Sequence, residues 1–247
     1  MTTYRIETRK YDIDLSALLT RRLTQCACAH GLMADSADGG AAVTVSVSDS
    51  DGKARLAEAL SLLVCRDLRY FELARLVDEL PLSLTERQAV LTEALALGCP
   101  QEELENAARD LAAYLAAENT VNLEGFLTFR LRSLSACWQR MAERVAEERL
   151  LRQEYGRLMD ALSAFVHTQK PLAGELSICL NPDGSCTLTD DSDARIEYVD
   201  CSEDGVLSLL VGMAPAFLTV YDLSGGAGAR LTDALRRVFA GRVRIYR

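Results

Sequence analysis

The residues best placed to do chemistry form a glycine-rich segment late in the sequence. The strand-like run Leu218-Thr-Val-Tyr221 is followed by Ser224-Gly-Gly-Ala-Gly-Ala229 and then by a helical pattern. This order of strand, glycine loop and helix is typical of dinucleotide sites, where loop amides and the helix N-terminus bind phosphate. The match is partial. Leu231 stands where a third small residue belongs, there is no Gly-Lys-Ser/Thr, and no acidic residue follows the next predicted strand.

Two interpretations of this segment remain open. It is either a flexible turn or a weak anion site in which backbone amides at a helix N-terminus bind phosphate. As an anion site it predicts a nucleotide-, phosphate- or RNA-binding module that uses loop 224–229 and the C-terminal arginines. The candidate binding residues are Gly225, Gly226, Gly228, Arg230, Arg242 and Arg244.

One acidic segment resembles a calcium loop in part. Asp49, Asp51, Gly52 and Glu58 match positions three, five, six and twelve of an EF-hand loop. Val47 occupies the first position, where it cannot bind calcium, and the preceding pattern is that of a strand instead of a helix. The segment therefore predicts a strand-to-helix turn with Asp51 near a helix cap.

Two further clusters are weaker candidates for metal binding. Cys26, Cys28 and His30 lie close together in the sequence, but no second pair is present to complete a zinc site. The acidic run that includes Asp190 and Asp193 is better explained as the solvated end of a hairpin. We therefore predict neither a metal nor a cofactor.

Nucleophilic catalysis has no motif in this sequence. There is no Gly-x-Ser-x-Gly elbow and no His-Glu-x-x-His, and the two histidines, His30 and His167, lie near predicted helix ends. No catalytic residue is predicted, although residues that meet only in space leave no trace in a sequence. Free thiols are expected at all eight cysteines, namely Cys26, Cys28, Cys65, Cys99, Cys137, Cys179, Cys186 and Cys201.

Composition restricts the class of partner. The chain has 247 residues, a net charge of −9 and a pI of about 4.9. Duplex-binding proteins are usually basic, so general DNA binding is disfavoured. We see no signal peptide and expect a cytoplasmic protein. The uncharged run from Gly205 to Tyr221 is short for a bilayer and contains Pro215, so we predict a helix, a break and a strand there and no membrane contact.

Hydrophobic periodicity predicts an α+β fold with three regions. Residues 1–53 form a small β-α-β unit, with a loop predicted from Ala34 to Gly40. Residues 54–168 read as helix. Asp12 or Asp14 is predicted to cap the first helix of the chain, Ser83 or Thr85 a helix that runs to Gly98, and Asn122 the long helix that follows. Residues 169–247 form a β-hairpin followed by α-β-α-β, with the hairpin turn at Asn181-Pro-Asp-Gly184 and a possible third strand over residues 195–199. The three regions are predicted to form one compact assembly.

The helical pattern from Asn122 to Thr168 is long, and we predict a bend or break near Glu147 to Gly156. Apolar residues step by threes and fours through both parts of this segment. We predict that both sets face a core, with charged residues on the solvated side. The first set is Leu134, Trp138, Met141 and Val145, and the second is Leu151, Tyr155, Leu158, Leu162 and Phe165.

From about Val121 onward the sequence resembles the YtxC family of sporulation proteins. The resemblance lies in Gly125-Phe-Leu-Thr-Phe-Arg-Leu131, in the helix 158–166, in residues 207–215 and in the closing run 238–246. It implies a cytoplasmic protein of an endospore-forming bacterium and carries no catalytic residue. Together with the missing catalytic motifs, it predicts a non-enzymatic sporulation protein that acts through contacts with an unidentified protein partner. A phosphate-containing ligand is the alternative.

Overall fold

A computed structural model describes residues 2–9, 11, 13–26, 32–37, 41–197 and 202–247, with 32–37 described by the backbone alone. The chain divides into two compact units, unit 1 (Met1–Arg149) and unit 2 (Leu150–Arg247). Helices and two separate sheets are present, so the predicted α+β class is confirmed. Each sheet lies within one unit.

The sheet of unit 1 has the strand order β2-β3-β1-β4. Strand β1 pairs antiparallel with β3 and parallel with β4. Helix α1 follows β1 and begins after Asp14, whose side chain accepts the Ala17 amide as predicted for an N-cap. The elements are β1 (Thr2–Glu7), α1 (Leu15–Gln25), β2 (Leu32–Ala37), β3 (Ala42–Val47) and β4 (Thr120–Asn122).

Strand β2 corrects the predicted loop from Ala34 to Gly40. Residues 34–37 belong to a strand that pairs with β3 from Leu32 opposite Val47 to Ala37 opposite Ala42. The sequence of β2 is short and partly polar, so its periodicity gave no strand signal. Its backbone bonds come from the neighbouring strand, which a local pattern does not reveal. Residues 38–40 lie outside the described residues.

The helices of unit 1 start where capping residues were predicted. The side chains of Ser83 and Asn122 accept the amides of Glu86 and Gly125, and Asp49 accepts the Gly52 amide at 2.7 Å. The calcium-like segment is therefore a helix start. The helical elements are α2 (Ser50–Leu62), a π-helical segment (Leu63–Leu68), α3 (Arg69–Asp78), α4 (Leu84–Ala96), α5 (Gln101–Ala117) and α6 (Leu123–Phe129).

Helix α7 (Arg132–Thr168) is a single helix of 37 residues, so the break predicted near Glu147 to Gly156 is wrong. The interruption lies at Arg130 and Leu131, between α6 and α7. There the Phe126 carbonyl accepts both the Arg130 amide at 2.9 Å and the Leu131 amide at 3.2 Å. The second bond spans five residues and widens this turn, where Leu131 is buried and no proline or glycine is present. The boundary between the two units falls inside α7.

The sheet of unit 2 has the order β7-β6-β5-β8-β9, with β5, β8 and β9 parallel and β6 antiparallel to β5. The predicted hairpin and the α-β-α-β order that follows it are confirmed. Helix α8 ends at Ala214, in the left-handed region (φ 41°), before β8 begins. The elements are β5 (Ala173–Leu180), β6 (Cys186–Thr189), β7 (Arg195–Ile196), α8 (Glu203–Met213), β8 (Pro215–Asp222), α9 (Ala229–Val238) and β9 (Val243–Tyr246).

The uncharged run from Gly205 to Tyr221 is the predicted helix, break and strand. Over the described part of the chain, no helix combines the length and the apolarity that a bilayer crossing requires. Of the predicted third strand, Arg195 and Ile196 form β7, and residues 198–199 lie outside the described residues.

Candidate functional site

The first part of α7 has one buried apolar face. Trp138 is fully buried, Leu134 and Val145 are buried, and Met141 packs against the same core as a partly buried residue. This core also contains residues of the unit 1 sheet, such as Tyr4 and Ile6 in β1. The prediction that this set of residues faces a core is confirmed.

The second part of α7 presents large apolar side chains to solvent. Leu151, Tyr155, Leu158 and Phe165 are 65%, 39%, 53% and 48% exposed, and we call these four residues the α7 apolar row. The prediction that they face a core is wrong. Their spacing of four, three and seven residues places them on one side of the helix.

The adjoining edge of the same apolar stripe supplies the packing of unit 2. Met159 and Val166 are buried in the core of this unit, and Leu162, which lies between Tyr155 and Leu158 around the helix, packs against that core as a partly buried residue. The second part of α7 thus carries one broad apolar stripe, and unit 2 covers only its Met159 and Val166 edge. Helical spacing in the sequence could not show which side of this stripe is buried and which is exposed.

Bonds from α9 and from the start of β9 fix the orientation of α7 in unit 2. The Arg237 guanidinium donates to Asp160 Oδ1 at 2.7 Å and to the Gly156 carbonyl at 3.1 Å. Arg242 donates to the Val166 carbonyl at 3.3 Å. These contacts hold the α9 side of the helix, so the α7 apolar row stays on the solvent side. Exposed charged residues of both signs, Arg152, Glu154 and Arg157, lie between its members.

The glycine-rich loop lies at the carboxyl end of β8, where parallel sheets commonly bind ligands. Gly225 and Gly226 have φ values of +63° and +103°, which non-glycine residues rarely adopt. A Cβ on Gly228 would lie 2.8 Å from Leu180 Cδ1, so any larger residue there would have to displace the Leu180 side chain of β5. Turn geometry and packing therefore account for all three glycines.

Asp222 and Ser224 organise the start of this loop. The Ser224 hydroxyl donates to Asp222 Oδ1 at 2.6 Å and accepts the Gly228 amide at 2.8 Å. The hydrogen bond from Ser224, with a smaller contribution from the Arg247 charge, lowers the pKa of Asp222. The Asp222 carboxylate therefore lies at the start of the loop. The Ser224 hydroxyl already accepts the Gly228 amide, which is one of the amides proposed to bind phosphate.

The structure brings only part of the predicted anion site together. Gly225, Gly226, Gly228 and Arg230 share the segment that leads into α9, where Arg230 lies 3.9 Å from Glu203 and 4.0 Å from Asp204. The other two predicted residues are on β9 or just before it. Arg242 donates to Val166 near the amino end of the parallel strands, and Arg244 lies over the ring of Phe217 at 5.4 Å. Anion binding stays a prediction.

His167 is held by the backbone at the end of α7. Its Nδ1 lies 2.7 Å from the Ser163 carbonyl oxygen and its Nε2 lies 2.9 Å from the Ala240 carbonyl oxygen. Carbonyl oxygens only accept hydrogen bonds, so in either neutral tautomer one ring nitrogen of His167 donates to one of these carbonyls. Cys28, His30 and Cys201 lie outside the described residues, so the possible zinc cluster is not described as a whole.

Unit 1 carries open clefts that sequence reasoning did not identify. One of about 450 Å³ is lined by Asp110, Tyr114, Glu118 and Arg130, with the Arg130 guanidinium 5.9 Å from the centre of the Tyr114 ring. The residues that line it carry charges of both signs and include no thiol and no imidazole. Its one hydroxyl group is that of Tyr114. Among the described residues, no group of three or more His, Cys, Asp or Glu side chains could hold a metal ion.

These features define a two-unit α+β protein whose helix α7 exposes apolar residues. The sequence profile of the YtxC-like family matches residues 100–244, more than half of the chain, and the chain belongs to this family. The predicted resemblance is thereby confirmed, and the match includes both the α7 apolar row and the glycine-rich loop. No curated protein matches this sequence, and no solved structure matches it.

Proposed function

We propose that this chain is a non-enzymatic protein of sporulation that binds a protein partner through the α7 apolar row. The observation that carries the proposal is the exposure of four large apolar side chains on one side of a single helix. Exposed apolar surface of this kind marks interaction sites, because its removal from water stabilises a complex. The connection to sporulation rests on the resemblance to the YtxC family.

The spacing of the row favours a helical partner. Leu151, Tyr155 and Leu158 are separated by four and three residues, and Phe165 lies seven residues after Leu158. This is the spacing with which two helices pack along a shared seam. The intervening charged residues can form the polar rim of such an interface. We therefore expect the partner to present an apolar helical face.

A different protein is favoured over a second copy of this chain. Each copy carries a net charge of −9, and like charges oppose association. Sedimentation equilibrium of the purified protein tests this point. A monomer supports a separate partner. A dimer that dissociates when Leu158 is replaced by glutamate would instead assign the row to self-association.

The test of the proposed function uses a matched pair of variants. In one, Leu151→Glu and Leu158→Glu place two charges in the row; in the other, Leu84→Glu makes the same change at a leucine of unit 1 that is 71% exposed. Both are expected to fold, because all three side chains are exposed. Each variant, and the wild type, is expressed in a spore-forming host that lacks the chromosomal copy.

We expect the deletion strain to lose spore yield, and we expect the wild type and Leu84→Glu to restore it. The double variant should fail to restore spore yield and should lose the protein that the wild type captures from sporulating cells. Normal spore yield in the deletion strain, or full restoration by the double variant, would contradict the proposal. Turnover of a metabolite by the purified protein would contradict its non-enzymatic part.

Phosphate binding at the glycine-rich loop is a second, separate proposal. Its support is that the N-cap of α9, Gly228, provides no side-chain cap, and helix N-termini bind phosphate through their amides. The Gly228 and Ala229 amides already donate to Ser224 Oγ and to the Gly226 carbonyl. The Asp222 carboxylate opposes the proposal. Calorimetry with ATP, GTP, cyclic dinucleotides and short RNA provides the test. The proposal is abandoned when none of them binds more tightly than about 1 mM, which corresponds to about −4 kcal/mol.

A further inference from the structure

Three cysteines from separate helical segments of unit 1 meet around one glutamate. Cys65 lies in the π-helical segment, Cys99 lies between α4 and α5, and Cys137 lies in α7. Cys65 and Cys99 lie close enough for each thiol to shift the pKa of the other. Glu103 Oε2 lies 3.5 Å from Cys99 Sγ and is also bonded to the Cys137 thiol. We call these four residues the thiol cluster.

Cys99 is the member of the cluster best placed to react. It precedes Pro100, the N-cap of α5, so it lies at the positive end of a 17-residue helix. Its side chain is partly exposed, whereas Cys65 is fully buried. The proximity of Cys65 lowers the pKa of the Cys99 thiol, aided by the charge of Arg69 and opposed by burial and by Glu103. The proximity of Cys99 and burial raise the pKa of Cys65.

A buried arginine lies beside the thiol cluster. Arg69 is 4% exposed, and its Nη2 donates to the Ala94 carbonyl at 2.9 Å and to Met141 Sδ at 3.1 Å. Its Nε is buried and has no hydrogen-bond partner among the described residues. Burial lowers the pKa of Arg69, and the acidic groups nearby, Cys99 and then Glu103, oppose that effect. A buried guanidinium needs a countercharge, and Glu103 and Cys99 are the acidic groups beside it.

The irregular helix positions these groups. Cys65 lies within the π-helical segment, and Arg69 is the first residue of α3 after it. Single-turn π-helices in longer helices are frequent at functional sites. Gly98, with a φ of +69°, makes the turn that brings Cys99 to the start of α5.

We propose that Cys65 and Cys99 form a reversible disulfide on reaction with a hydroperoxide. The Cys99 thiolate attacks one oxygen of hydrogen peroxide, the O–O bond breaks, and the departing hydroxide takes up a proton as water. Cys99 is then a sulfenic acid. The Cys65 sulfur attacks the Cys99 sulfur, the S–O bond breaks, and a second water leaves with the Cys65 proton. Two thiols and one peroxide thus give one disulfide and two waters. Cys137 stays a thiol, because the thiol that lies next to Cys99 is that of Cys65.

Peptide mapping tests this reaction directly. Cleavage after arginine places Cys65 in peptide 56–66, Cys99 in peptide 88–109 and Cys137 in peptide 133–140, with one cysteine in each. The reduced full-length protein is treated with a small excess of hydrogen peroxide, its remaining thiols are alkylated, and the digest is analysed by mass spectrometry. We expect peptides 56–66 and 88–109 to be joined, and a dithiol reductant to separate them.

Variants assign the two roles. Cys65→Ser should leave Cys99 as a sulfenic acid that dimedone captures, Cys99→Ser should abolish the link, and Cys137→Ser should retain it. The wild type alone also tests the proposal. The link should form at least about tenfold faster in the folded chain than in guanidinium, because the thiols of the unfolded chain have ordinary reactivity. An equal rate in guanidinium, or a first link that joins other cysteines, would overturn it.

Discussion

The two parts of helix α7 carry the same apolar period and meet different surroundings. Up to Val145, the stripe is covered by the core of unit 1, with Trp138 fully buried. From Leu151 onward, the α7 apolar row faces solvent, and unit 2 covers only the edge of the stripe that includes Met159 and Val166. The boundary between the units falls between the two parts. Helical spacing therefore establishes an apolar face, but only the rest of the fold determines whether it is covered.

The same substitution at two leucines of α7 tests this difference most strongly. Leu134→Ala should lower the free energy of unfolding by about 2–5 kcal/mol, because it opens a cavity in the core of unit 1. Leu158→Ala should change it by no more than about 0.5 kcal/mol, because the side chain is exposed. Urea denaturation followed by the fluorescence of Trp138, the sole tryptophan, reports on the first change, and circular dichroism reports on both. Equal costs would contradict the assigned exposure.

Neighbouring residues of the second part provide a finer test. Met159 is 2% exposed and lies directly after Leu158. Met159→Ala should cost about 2–3 kcal/mol through lost burial in unit 2, while Leu158→Ala should not. Hydrogen exchange of the β5 and β8 amides measures the stability of this unit. Faster exchange in the Leu158 variant than in the Met159 variant would mean that the buried and exposed faces have been assigned the wrong way round.

The smallest expected effect concerns the ion pair that orients α7 in unit 2. Arg237→Ala removes the bonds to Asp160 and Gly156, but the charged groups are exposed, so the loss should not exceed about 1 kcal/mol. Arg236→Ala is the matched control, since Arg236 pairs only within α9 with Asp233 in the described structure. A difference between the two in hydrogen exchange along residues 156–166 would show that Arg237 fixes this face. Identical exchange in the two variants would show that Arg237 does not fix the orientation of α7.

Local signals in the sequence predicted much of the fold because local chemistry determines those features. The caps at Asp14, Ser83 and Asn122 form from side chains three residues before the amides that they accept. The turn after β5 follows from a proline and a glycine, with Gly184 at a φ of +81°. Strand β2, in contrast, depends on pairing with β3, and the break at Arg130 and Leu131 contains no proline or glycine. Neither has a local marker.

The candidate sites likewise divide into features with a local sequence signal and features that depend on tertiary packing. Sequence reasoning named the residues of the α7 apolar row but assigned them to a core, because periodicity does not report coverage. It treated the cysteines as separate buried thiols, although Cys65, Cys99 and Cys137 meet through tertiary packing. One local signal was available for Cys99, which stands between Gly98 and Pro100 at a predicted helix start. For the glycine loop, the close approach of Gly228 to Leu180 could not be seen without β5 beside it.

Site-specific photo-cross-linking tests the central claim that the α7 apolar row is an interaction surface. A photoreactive phenylalanine analogue replaces Leu158 in one strain and Leu84 in another, and both proteins are irradiated in sporulating cells. Position 158 should cross-link to one defined protein, and position 84 should not. The cross-link at 158 should also disappear when Leu151→Glu is added. No cross-link at 158, or the same products from both positions, would contradict the account.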